Sequence, residues 1–130
     1  MASGNFVLDK GYRVAAGQTL TKFRAVKFSA AETVTPVTAI TDRIAGFAQF
    51  SVSAAELLKG KGATVRVDGQ TEAEASGAIA LGASVSIAAD GRVKTAATGE
   101  RIVGHCAGHP ATNAGDRITL HLTTDGPLSP

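Results

Sequence analysis

The chain has 130 residues, a formal net charge of +2 and one cysteine. That length gives one domain with room for a real core, and the lone Cys106 excludes an internal disulfide. Acids and bases are interspersed, no Lys/Arg cluster marks a nucleic-acid face, and no apolar run has the length of a bilayer span or the form of a signal peptide.

In chain order, residues 1–5 are small and polar, and residues 1–12 are expected to form an extended N-terminal arm. Within it, Phe6-Val7-Leu8 needs a surface to bury against, on this chain's own sheet or on another subunit. Val26-Lys27-Phe28-Ser29 alternates with period two, as a strand does. Val34 to Thr38 is β-branched but contains Pro36, which points to an edge or irregular strand. From Ile44 to Val52 the parity places Ile44, Gly46, Ala48, Phe50 and Val52 on one strand face, with Ala45, Phe47, Gln49 and Ser51 on the other.

Ser53 and Glu56 have the spacing of a capping box, and Gly60 supplies a left-handed stop. They predict one short α-helix, about Ala54 to Lys59, with Leu57 and Leu58 plugging the end of a barrel. Thr64-Val65-Arg66-Val67 reads as a strand ended by Asp68-Gly69. Residues 70–78 are polar and Ala-rich, a loop or a weak exposed strand, with Glu72 and Glu74 solvated. Asp90-Gly91 predicts a type I′ hairpin turn. Ile118, Leu120 and Leu122 point inward from a last alternating strand, and residues 125–130 form a tail that does not continue it.

One stretch comes twice. Asp42-Arg43-Ile44-Ala45-Gly46-Phe47-Ala48 returns as Glu100-Arg101-Ile102-Val103-Gly104-His105-Cys106, 58 residues on. Val26 and Val34 are echoed by Val85 and Val93, and Gly62-Ala63-Thr64-Val65-Arg66-Val67 by Gly115-Asp116-Arg117-Ile118-Thr119-Leu120. The shared order predicts an all-β barrel or sandwich built from two pseudo-repeated halves, residues 13–124 forming the single domain. Gly46 and Gly104 mark close approaches of backbone. All six aromatics (Phe6, Tyr12, Phe23, Phe28, Phe47, Phe50) lie in the first half, so the halves are expected to make different contacts.

Ligand-type residues gather only at His105-Cys106-Ala107-Gly108-His109. A zinc site needs about four converging donors, and on a strand Cys106 points away from His105 and His109. Cys106 takes the slot of Ala48 and reads as a small core residue. His105 takes the slot of Phe47 and reads as a surface or interface ring, and His121 as plain surface. No catalytic, metal or cofactor residue is assigned, and no enzyme is expected.

The ordered motifs together, from Ala25-Val26-Lys27-Phe28 through Asp90-Gly91-Arg92-Val93 to the final Gly-Asp strand, resemble the small capsid decoration proteins of tailed bacteriophages, over about residues 6–123. The chain departs from that pattern at residues 70–78. The resemblance implies a non-enzymatic β-barrel protein of the virion, made in the host cytoplasm. It implies a homotrimer on the outer surface of the head, stabilising the shell, with the major capsid protein and itself as partners and neither nucleic acid nor membrane. Contact candidates are Phe6, Val7, Leu8, Tyr12, Arg13, Phe47 and His105. The rival expectation is a carbohydrate- or receptor-binding module of a phage tail, which the lack of Trp disfavours.

Overall fold

A computed structural model describes residues 7–123 and 127–129. Its elements are β1 Leu8–Val14, β2 Ala25–Ala30, β3 Thr33–Pro36, β4 Gly46–Ala48, α1 Ala54–Leu58, β5 Ala63–Glu74, β6 Ser84–Ile87, β7 Val93–Thr95, β8 Gly104–Cys106 and β9 Arg117–Leu122. The strands hydrogen-bond in the order β1-β3-β2-β4-β5-β9-β8-β6-β7, and β1 also pairs with β5. That extra pairing closes β1, β3, β2, β4 and the first part of β5 into a five-stranded barrel. The second part of β5 begins a matching sheet through β9, β8, β6 and β7, whose far edge returns at the bridge between Val93 and Ala75, the residue after β5. The fold is all-β with one short helix, as the alternating patterns predict.

The pseudo-repeat is written in the hydrogen-bond register. Val26 pairs with Gly46, and Val85 with Gly104. Phe28 pairs with Val34, and Ile87 with Val93. Ala48 pairs with Val65, and Cys106 with Leu120. Even the isolated bridges correspond, Leu20↔Val52 and Ile79↔Ala111. Phe23, with φ of 64°, sits where the second half has Gly82, at 82°. Each of their N–H groups donates to the carbonyl of the matching strand residue, Ala48 or Cys106.

The two acids that head the repeated stretch hold their loops in the same way. The Asp42 carboxylate accepts from the Thr38 and Ala39 N–H groups at 2.9 and 3.0 Å and pairs with Lys27 at 3.0 Å. Glu100 accepts from the Ala97 N–H at 2.7 Å and the Ser86 hydroxyl at 2.9 Å, and pairs with Lys94 at 2.7 Å.

Gly46 and Gly104 are close approaches, as expected. A Cβ on Gly46 would run into the Arg66 carbonyl oxygen and lie 2.7 Å from Val65 Cγ1. One on Gly104 would run into the His121 carbonyl oxygen and lie 2.9 Å from Leu120 Cδ1.

Two apolar cores result. Val14, Leu20, Val26, Ala45, Ala48, Val52 and Val65 fill the first barrel. Val85, Ile87, Val93, Val103, Cys106, Ile118 and Leu120 form the second core, which also takes Ala25, Val37, Ile44 and Phe47 from the first half. Successive residues therefore serve different cores: Ala25 and Phe47 face the second half, Val26 and Ala48 the first barrel's own interior.

Several expectations are corrected. The strand expected from Ile44 to Val52 is only Gly46–Ala48, buried on both sides. Its alternation slips at Gly46, since Ile44 joins Phe47 in the second core while Ala45 joins Ala48 in the first. β5 does not end at Asp68-Gly69. Gly69 takes φ of 90°, the Asp68 carboxylate accepts its N–H at 2.8 Å, and the strand runs on to Glu74. Thr71 and Ala73 there, and Ala75 just beyond its end, are inward and buried. Glu74 is not solvated but takes a two-pronged bond from Arg24, both prongs 3.2 Å.

The hairpin at Asp90-Gly91 exists, but only Gly91 is left-handed. A three-residue loop closes it, with the Ala88 N–H donating to the Arg92 carbonyl at 2.7 Å, so it is a type I turn with a bulge. Pro36 is the last residue of a strand flanked by β1 and β2, and it pairs only with Val26, so its missing N–H leaves no gap towards β1. The capping box of α1 is present, and Leu57 packs on the first core, but Leu58 is 89% exposed and plugs nothing.

The N-terminal segment from Leu8 is extended and runs along its own chain, pairing with β5 from Leu8↔Asp68 to Tyr12↔Ala63. The tail expected over residues 125–130 lies partly outside the described residues. Of the rest, Leu128 bridges Arg101, and the Ser129 N–H donates to the Glu100 carbonyl at 2.7 Å.

Candidate interaction surface

The residues expected to make contacts do not gather at one place. Phe6 lies outside the described residues. Val7 and Leu8 are exposed at 45% and 48%, and Arg13 is exposed on the same strand. Tyr12 is half-buried. Its ring stands edge-on to Phe28, centroids 5.2 Å apart. Tyr12 shares the parity of Val14, and Phe28 that of Val26, so both continue the inward rows of their strands towards one mouth of the first barrel. Phe28 itself is 53% exposed.

Phe47 is a correction. It is wholly buried, and the partner of its ring is the second half of this same chain. Its counterpart His105 is exposed on β8, in the other half from the β1 candidates. His105 stacks on His121 of β9, centroids 5.1 Å apart and ring planes 32° apart. His109 is not its neighbour on a strand, because β8 ends at Cys106. The His109 ring instead lies 3.2 Å from the Arg117 carbonyl oxygen. Cys106 is buried, as its slot predicts, and its thiol donates to the His109 carbonyl at 3.4 Å.

Sequence reasoning missed the exposed apolar residues Phe28, Phe50, Leu58 and Leu81. Phe28 stands in a clean period-two pattern and so reads as core. Phe28 pairs with Val34 on one side but lies beyond the last β2–β4 pair, Val26↔Gly46, on the other, and the sequence carries no sign of where that pairing stops.

A set of linked ion pairs lies at the junction of the halves. Glu74 on β5 binds Arg24 and lies 4.0 Å from Arg92, which in turn pairs with Asp90 at 2.7 Å. Arg117 lies over the Phe23 ring at 4.7 Å. Among the described residues, the carboxylates with lowered pKa are tied to structural bonds. Asp42 is lowered chiefly by the Thr38 N–H, Asp116 by the Asn113 N–H and Glu100 by Lys94. Glu56 is held down to about 2 by Lys61 and then by the Ser53 cap. A cavity of about 160 Å³ lies between Ile40 and Leu128, floored by residues 99–101. Broader and more open depressions of about 560 and 620 Å³ lie beside His109 and Arg117 and beside Leu81 and Pro110. Among the described residues no three His, Cys, Asp or Glu side chains converge as a metal site, and no helix is long and apolar enough to cross a membrane.

No family model matches the sequence, and no curated protein matches it. The fold does have a solved counterpart. It is similar to the N base of head fiber gp8.5 in bacteriophage phi29, with a TM-score of 0.67 over 94% of this chain and 98% of that one. At 13% identity the likeness shows the shared fold.

Proposed function

We propose that this chain is a non-enzymatic structural protein of a bacteriophage head, a decoration protein that binds the outer surface of the shell as a homotrimer and stabilises it. The observation that carries this reading is the match, over nearly the whole of both chains, to the base of a phage head fiber. The chemistry of the surface is consistent with it. The lowered carboxylates serve loop and helix bonds, and the exposed apolar residues Leu8 and Phe28 offer contact area. The major capsid protein is the partner. A trimer multiplies modest contacts by avidity.

The test has two arms. Light scattering reports the mass of the free protein, and co-sedimentation with expanded heads of the source phage reports binding. A trimer, or a monomer that saturates heads at a fixed stoichiometry, supports the proposal. A protein that stays behind when heads sediment, and that binds a glycan panel instead, overturns it in favour of a tail receptor-binding module.

A further inference from the structure

The chain has three histidines, and two of them face each other. His105 on β8 and His121 on β9 are direct cross-strand partners, so their Cβ atoms are held about 4.5–5.5 Å apart by the sheet itself. Both rings are exposed, and their stacking is the interaction the structure gives each of them among the described residues. The flanking residues on this face are uncharged: Ser84 is opposite His105, and Gln70 is opposite His121. The next position along β5 on the same face is Glu72, an exposed carboxylate. The first half holds a different set at the matching positions, with Phe47 buried opposite Arg66, whose guanidinium is bound to Asp9 at 2.8 Å.

We propose that His105 and His121 form a two-imidazole site for a divalent transition-metal ion of the nickel, copper and zinc group. Neutral imidazole is a good donor for these ions. A metal–nitrogen distance of about 2.0–2.1 Å is reached when the two rings turn about their side-chain bonds until one nitrogen of each points to a shared centre. The backbone register brings both side chains within reach of one centre, and the ion orders the two exposed rings. The remaining coordination positions face solvent, and the bound ion ties β8 to β9.

The experiment is calorimetric titration of the full chain with Ni²⁺ and with Zn²⁺ at neutral pH, followed by thermal melts with and without the ion. One ion binds per chain, and the melting temperature rises with it and falls back on adding a chelator. His105→Gln and His121→Gln each weaken binding by about tenfold or more, because each removes the second donor of an intramolecular pair. Both also abolish the melting shift. His109→Gln leaves binding and shift unchanged. Both rings are exposed, so these variants keep the fold, which circular dichroism checks. No binding at millimolar ion, equal binding by either of the first two variants, or an equal loss in His109→Gln overturns the proposal.

Discussion

Gly104→Ala is the sharpest probe of the two-half architecture. The added methyl would meet the His121 carbonyl oxygen at far less than contact distance and Leu120 Cδ1 at 2.9 Å. The leucine end can rotate away. The carbonyl cannot, because it belongs to the β8–β9 ladder, where His105 pairs with His121. Overpacking of this kind costs about 1–3 kcal/mol, and the fixed obstacle places this case at the upper end, about 3 kcal/mol. For a chain of this size that lowers the melting temperature by on the order of 10 °C. Gly77→Ala is the matched control: its Cβ would meet nothing within 4 Å and its φ is not in the left-handed region, so it is neutral or stabilising by up to about 1 kcal/mol. Thermal denaturation of the two variants side by side decides the matter. If Gly104→Ala melts within about 2 °C of the parent, the close approach does not constrain the fold and the reasoning fails.

Phe47→His puts the second half's ring into the first half's wholly buried site and costs about 3–5 kcal/mol, whereas His105→Phe, at an exposed site, stays within about 0.5 kcal/mol; denaturant melts measure both. Acid weakens the fold. Asp42, Glu56 and Glu100 have folded pKa values below their ordinary ones, so their stabilisation is complete above the ordinary range near 3.8–4.5 and is lost as pH falls through the folded values, down to about 2 for Glu56. Asp42→Asn is accordingly less stable than the parent at neutral pH, and the gap narrows in melts at low pH. Removing residues 1–12 deletes the pairings from Leu8↔Asp68 to Tyr12↔Ala63 and opens the first barrel; circular dichroism should show a melting temperature lower by on the order of 10 °C or more, and an unchanged value would show that this strand does not close it. Phe28→Ser leaves the melting temperature within a few degrees, since the ring is half-exposed, and weakens co-sedimentation with heads if the mouth of the first barrel is the contact surface.

The repeat was legible because its backbone demands fall on residues with no substitute. Glycine alone fits under a crossing carbonyl at 46 and 104, and an acid at 42 and 100 is needed to take loop N–H groups. Those requirements survive where the apolar side chains do not. The helix was legible from its capping box for a similar reason. The continuation of β5 was not. Its buried residues Thr71 and Ala73, with Ala75 just beyond, are small, and small residues carry little hydrophobic signal. The parity of β4 was misread because alternation assumes an unbroken strand, and it slips where Gly46 comes close to Arg66. The partner of His105 was also hidden. His121 is 16 residues away, and only the β8–β9 register brings the two together.

The difference between Phe47 and His105 follows from where a two-unit stack ends. The outer side of the first barrel, bearing Ala25, Val37, Ile44 and Phe47, is covered by the second half and is apolar. The matching side of the second half bears Ser84, Ala96, Ile102 and His105, and Ser84 and His105 are exposed. A terminal unit in a stack needs a polar outer face, and this one has it. At the other hinge of the repeat the hairpin loop reverses the comparison. Gly91 lies against Ala25, where a Cβ would come within 2.9 Å of its carbonyl oxygen. Its counterpart Glu32 carries a full side chain at φ of 55° and is exposed. The close approach that Gly91 makes to Ala25 is one that a residue with a side chain, such as Glu32, does not make in the same form. The Gly91 contact on Ala25 therefore has no equivalent at the first half's hairpin, where Glu32 stands in its place.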